Sequence, residues 1–160
     1  SSVFDVIDSI LTQGTSSRLY KRLVLNDKLV SSVDVWSSDP GERYSNLFSV
    51  YSQLNSDADP AKVESIIWEE IEKLKTESVS SEELQKIKNK MTSDFLREID
   101  SNGTLADSLS YYELLTGNWE DLFLSYDKLN NITEADIKRV AAKYFVKENL
   151  TIGHLDARNK

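Results

Sequence analysis

Cysteine is absent from the 160 residues, and histidine occurs once, at His154. The first absence excludes disulfides and thiolate metal sites. The second excludes any zinc site built on two or more histidines, H-x-x-E-H and H-E-x-x-H included. No apolar run approaches the roughly 20 residues that a membrane-spanning helix needs, so no membrane segment is expected. The opening SSVFDVIDSIL carries acidic residues and no basic stretch, and does not read as a signal peptide. With five glycines and two prolines there is no phosphate-binding loop, low-complexity linker or internal repeat. The chain therefore reads as one domain, 1–160, able to bury about 70% of its unfolded surface.

What is present is an ordinary globular mixture, 39% hydrophobic and 29% charged. The 27 acidic and 19 basic residues give a net charge of −8 and read as spread along the chain. Such a surface repels phosphate backbones and anionic lipid, so nucleic acid and membrane surfaces are not expected partners. Composition names no compartment.

Val3, Phe4, Val6, Ile7, Ile10 and Leu11 recur at helical spacing and predict a helix over 2–12, with Gly14 ending it in a left-handed conformation. Thr15 or Ser16 is placed to cap a second helix reaching Asn26-Asp27. Leu19, Leu23 and Tyr20 face inward on it, and Arg18, Lys21 and Arg22 outward. From Val30 the period becomes two, with Val33 and Val35 set against Ser32, Asp34 and Trp36. Asp39-Pro40-Gly41-Glu42 is turn chemistry, and Tyr44–Asn55 is expected as the partner strand of a hairpin. Tyr44, Phe48, Val50 and Leu54 share one face, and Leu47 and Tyr51 the other, both partly covered.

Asp59-Pro60 opens a helix with the stripe Val63, Ile66, Ile67, Ile71 and Leu74. Ser80 and Glu83 read as a capping box for a helix to Ile99 with the stripe Leu84, Ile87, Met91 and Phe95. Asn102-Gly103-Thr104 and Gly117-Asn118 bound a helix over 105–115, and 119–129 forms a shorter one. Thr133 and Asp136 cap the last, with Ile137, Val140, Ala141, Tyr144 and Phe145. Leu150, Ile152 and His154 alternate as a short closing strand, followed by a polar DARNK tail expected to fray. This order predicts an α+β two-layer sandwich, helices packed on one face of a mostly antiparallel sheet. Three strands are few for so many helices, so strands upstream of Ser1 are expected. An open sheet edge would also favour self-association into a homodimer or exchange of segments.

Several residues invite chemistry. Glu69, Glu70, Glu72, Glu82, Glu83 and Asp94 could be paired carboxylates, but lysines lie nearby and solvated helix faces account for them. Thr15-Ser16-Ser17 lacks a histidine base and reads as a cap. Gly14–Arg18 lacks a Walker lysine and a preceding strand. His154, with Asp156 beside it, has no companion ligands. Asn102, Asn131 and Asn149 head glycosylation triplets, which arise often by chance. The three tryptophans and seven tyrosines read as core or sheet residues.

ILTQGTSSRLYKRLVLNDKLVSSV resembles the pitrilysin/insulinase-like zinc peptidases, the group that includes the mitochondrial processing peptidase. Leu11, Gly14, Ser16, Ser17, Arg18, Leu19 and Tyr20 match the segment Leu-Gly-Gly-x-x-Ser-Ser-Arg-Leu of that family's second, non-catalytic domain. Asp59-Pro60 with VESIIWEEIEKLK, VSSEELQKIKNKM and WEDLFLSYDKLNNITEADIKRVAAKYF are similar to later family segments, in the right order over nearly the whole chain. The resemblance implies a metallopeptidase fold of the LuxS/processing-peptidase-like kind, truncated at its N-terminus. It implies a fragment of a longer, bacterial protein, with zinc held by a catalytic domain of the same polypeptide and a peptide substrate enclosed between domains. It gives this chain no catalytic residue, no metal ligand and no cofactor of its own. Where the family pattern R-E-x-x-G-L-A-Y supplies a substrate-holding Arg and Tyr, this sequence has Val24 and Ser31, so no substrate-binding residue carries over. The implied role is a non-catalytic domain that shapes the substrate chamber and meets the zinc-bearing domain. The alternative is a structural or assembly subunit of the same fold.

Overall fold

A computed structural model describes residues 2–155. Helix α1 (Ser2–Leu11) is its centre: Val6, Ile7, Ile10 and Leu11 are at most 1% exposed. Each such side chain contributes about 1.5–3 kcal/mol when taken out of water. Around α1 lie a hairpin of β1 (Val30–Asp39) and β2 (Leu47–Leu54), then α2 (Pro60–Thr76), α3 (Ser81–Asp100), α4 (Asn102–Thr116), α5 (Asp121–Asn130) and α6 (Glu134–Tyr144). The molecule is a mostly helical α+β fold with an antiparallel two-stranded sheet.

The hairpin register shifts twice, between Val30 and Ser32 and between Trp36 and Asp39, and the first shift sets the strand pattern. Val30 pairs with Leu54 and Ser32 with Gln53, so Ser31 is the extra residue of a bulge. The bulge resets the alternation, so that Val30, Val33 and Val35 all point at α1 and the core. On the other face Trp36 leans on Tyr51, ring centroids 5.0 Å apart, as diagonal cross-strand neighbours. That face is not covered as expected: Trp36, Leu47 and Tyr51 remain 57%, 68% and 48% exposed. β2 also begins three residues late, leaving Tyr44 in an exposed loop. The inner end of the hairpin is sealed by aromatic rings, Phe48 lying 4.8 Å from Phe145 and 5.9 Å from Phe4.

Three helix starts are set by their caps. Asp59 accepts from the Ala61 N–H ahead of Pro60, Ser80 from Glu83, and Thr133 and Asp136 cap each other reciprocally. Ser80 and Glu83 form only half a box, because the Glu83 carboxylate turns to Arg18 instead. The break after α3 falls at Ser101, which ends that helix and accepts from the Thr104 N–H. Asn102-Gly103 therefore lies in the first turn of α4, where free N–H groups are normal, rather than between helices. Gly117, at φ 79°, closes α4 with its N–H on the Glu113 carbonyl.

The expected closing strand is not formed. After a short 3-10 turn (Lys147–Asn149), residues 150–155 have no ladder partner, and Leu150 and Ile152 are 44% and 45% exposed. Alternating side chains specify a strand only where a neighbour takes the backbone hydrogen bonds. The DARNK tail lies outside the described residues.

Candidate functional site: the Gly14–Ser31 stretch

Within the stretch that carries the resemblance, Gly14, with a φ of 85°, turns the chain after α1. Neither Thr15 nor Ser16 caps the second helix. Ser17, 5% exposed, donates both its N–H (3.1 Å) and its hydroxyl (2.6 Å) to the Gly14 carbonyl. Ser16 Oγ instead accepts from Lys86 Nζ of α3 at 2.6 Å. No side chain caps the start of the helix that follows.

The second helix is a π-helix over Tyr20–Asn26, closed by Asp27 N–H to Arg22 O at 3.0 Å and Leu29 N–H to Leu23 O at 2.9 Å. Leu19 and Leu23 are fully buried as expected. Arg18 and Arg22, expected to face out, are the hinge of a charge cluster. Arg18 clasps Glu83 with two parallel bonds, Nε–Oε1 at 3.0 Å and NH2–Oε2 at 2.7 Å. Arg22 reaches Glu69 Oε2 at 2.5 Å and Glu70 Oε1 at 3.1 Å, and Lys73 Nζ reaches Glu70 from the other side at 2.7 Å. The Glu83 carboxylate holds the Arg18 guanidinium above its ordinary pKa, and Glu69 does the same for Arg22.

This corrects the solvated-face reading of the carboxylates for Glu70 and Glu83, while Glu69 stays exposed on its helix face. Glu70 is 5% exposed and its neighbours bind the first helix pair to α2 and α3. Two arginines four apart on a short apolar helix were the available signal, since a guanidinium there needs anionic partners. Glu72 with Lys75 and Asp94 with Lys90 are the surface pairs expected. The arrangement is a brace: every charged group in it is neutralised, which leaves no free base or nucleophile.

The two positions singled out by the family pattern lie apart in character. Val24 is half-buried against the core, and Ser31 sits exposed at the bulge, its hydroxyl on the Gln53 carbonyl at 3.2 Å. Lys28, at the pattern's glycine, keeps a left-handed φ of 51°. His154 is exposed on the 150–155 segment, and Asp156 lies outside the described residues. Among the described residues no group of three or more His, Cys, Asp or Glu could hold a metal ion. With the carboxylates of the brace already bound to arginine and lysine, the donor set does not fit zinc. No described helix is long and apolar enough to cross a membrane.

Residues 1–91 match the family model described as "Peptidase M16 inactive domain". No curated protein matches the chain. Among solved structures, the inactive peptidase domain of a proposed zinc protease from Bordetella parapertussis is 27% identical, with a TM-score of 0.80 over 95% of this chain and 81% of that one. A proposed zinc protease from Bordetella pertussis Tohama I is 27% identical, with a TM-score of 0.78 over 92% of this chain and 79% of that one. A protease from Helicobacter pylori shares the fold at 24% identity and a TM-score of 0.79 over 92% of this chain, which spans only 35% of the length of that protease. The matched residues contain the Gly14 turn, the π-helix, the hairpin, α2 and the start of α3, more than half of the sequence, and this chain belongs to the Peptidase M16 inactive domain family.

Proposed function

We propose that this chain is the non-catalytic domain of a zinc metalloendopeptidase, forming a wall of the substrate chamber and the contact surface for a zinc-bearing domain of the same polypeptide. The observation that supports this reading is membership of an inactive peptidase family, together with the lack, among the described residues, of a donor set that fits zinc. Zinc and the general base would come from outside residues 1–160. The braced Gly14–Asn26 segment suits a rigid wall, because its charges are spent on holding α2 and α3 rather than on a ligand.

A second reading, a structural or assembly subunit, is favoured by Val24 and Ser31, which offer neither a guanidinium nor a phenol for holding a peptide. The two diverge on one observation, an H-x-x-E-H motif ahead of Ser1 in the parent open reading frame. For the first reading, the purified chain is expected to contain no stoichiometric zinc by elemental analysis and to cleave no peptide. One zinc per chain, or peptide cleavage abolished by a chelator, would overturn it.

A further inference from the structure

The net charge of −8 is not spread along the chain, contrary to the expectation from composition. From Glu98 to Asp127 there are seven carboxylates and no lysine, arginine or histidine. The remaining residues carry 20 acidic and 19 basic side chains, so this one stretch holds nearly all of the net charge. It comprises the end of α3, all of α4, the turn after it and most of α5.

α4 is also the helix with least reason to be stable by itself. It is 15 residues long and none of them is buried, although it contains Leu105, Leu109, Tyr111, Tyr112, Leu114 and Leu115. Its inner side leans on α3 and α5. Its outer row runs Asp107, Tyr111, Leu114 at helical spacing, with Leu114 76% and Tyr111 48% exposed. Trp119, 48% exposed, follows the helix end, where its backbone N–H donates to Glu113 Oε2 at 3.0 Å. Asp107, Glu113 and Glu120 around these side chains are exposed. An apolar row inside a polar rim is the composition of an interaction surface.

Charge selects the occupant. A second copy of this chain would set the rim carboxylates Asp107, Glu113 and Glu120 against their own counterparts, and nucleic acid or anionic lipid is repelled for the same reason. A helix with an apolar stripe flanked by Lys and Arg complements both features, the stripe covering Leu114 and Trp119 and the cations meeting the rim. We propose that α4 and the α4–α5 turn form a docking face for a basic amphipathic helix of a partner protein. The proposal stands whether the parent is an active peptidase or an assembly subunit.

The test is a titration of the isotope-labelled full chain with an amphipathic Leu/Lys helical peptide, monitored through amide chemical shifts. A Leu/Glu counterpart and a scrambled Leu/Lys sequence serve as controls. Saturable shifts confined to about residues 104–124 are expected for the first peptide alone. Leu114→Ser, exposed and so harmless to the fold, is expected to weaken binding about tenfold. Asp107→Asn with Glu120→Gln is expected to weaken it and to flatten its salt dependence. Equal binding of the scrambled peptide, shifts scattered over the other acidic surfaces, indifference to Leu114→Ser, or no binding would each overturn the proposal.

Discussion

Lys28 is the only non-glycine described at positive φ, 51°, and the family pattern has glycine there. A side chain in the left-handed region costs about 1–2 kcal/mol, part of which glycine gives back through its floppier unfolded state. Lys28→Gly is therefore expected to raise stability by about 0.5–1 kcal/mol in urea unfolding; a loss would mean that the Lys28 side chain has a role of its own. Asp8 makes a pH-dependent case. Burial pushes its carboxyl up from 3.8 to about 6, against a hydrogen bond from Thr12 Oγ at 3.0 Å, with Asp5 and Asp34 adding to the rise. The folded chain keeps this proton to higher pH than the unfolded chain, so its contribution to stability is lost as pH rises from about 4 through about 6. Asp8→Asn keeps an oxygen for Thr12. It is expected to melt with the parent near pH 4 and above it beyond about pH 6. A gap that does not change with pH would refute this.

Among elements, those whose ends carry chemistry are legible in sequence. Asp59-Pro60 and Thr133 with Asp136 announce helix starts because a short side-chain oxygen satisfies an orphan N–H two or three residues on. The apolar stripes of α1, α2 and α6 come through for the same reason, a period of 3.6 against a single core. The π-helix is not legible: Leu19 and Leu23 are compatible with either winding, and the winding shows only in backbone bonds such as Asp27 N–H to Arg22 O. The expected cap of that helix is absent: Ser16 Oγ accepts from Lys86 Nζ on α3, and no side chain accepts from the first turn. Glu70 looks solvated in sequence because its arginine partner comes from 48 residues away, beyond any local pattern. Glu70→Ala is expected to cost on the order of 1–3 kcal/mol, leaving two cations short of an acceptor, while Glu72→Ala, whose pair is exposed, is expected to change stability by less than about 0.5 kcal/mol. Equal costs in thermal unfolding would show that the brace does not depend on burial.

At the scale of the whole molecule, the fold class and family are legible through the order of segments, and the size of the sheet is not. Residues 150–155 have a strand's alternation, yet pairing depends on a neighbour that sequence alone does not place. The outer edges of β1 and β2 are unpaired among the described residues, and unpaired edges recruit strands. Net charge of −8 opposes this between copies. Self-association measured by light scattering is therefore expected to rise with protein concentration and with salt as that repulsion is screened; a monomer under every condition would refute it.

The π-helix has a bearing on chain length. Closing its rings over five residues rather than four, it takes up one residue more than an α-turn needs to join the same two points. Tight contacts fix both ends, Ser17 on Gly14 before it and Leu29 on Leu23 after it. Between those anchors the chain holds a spare residue. Single-residue gaps and insertions among aligned relatives are expected to gather at 24–27, where loss of one residue converts the winding to α and leaves the brace and hairpin in register.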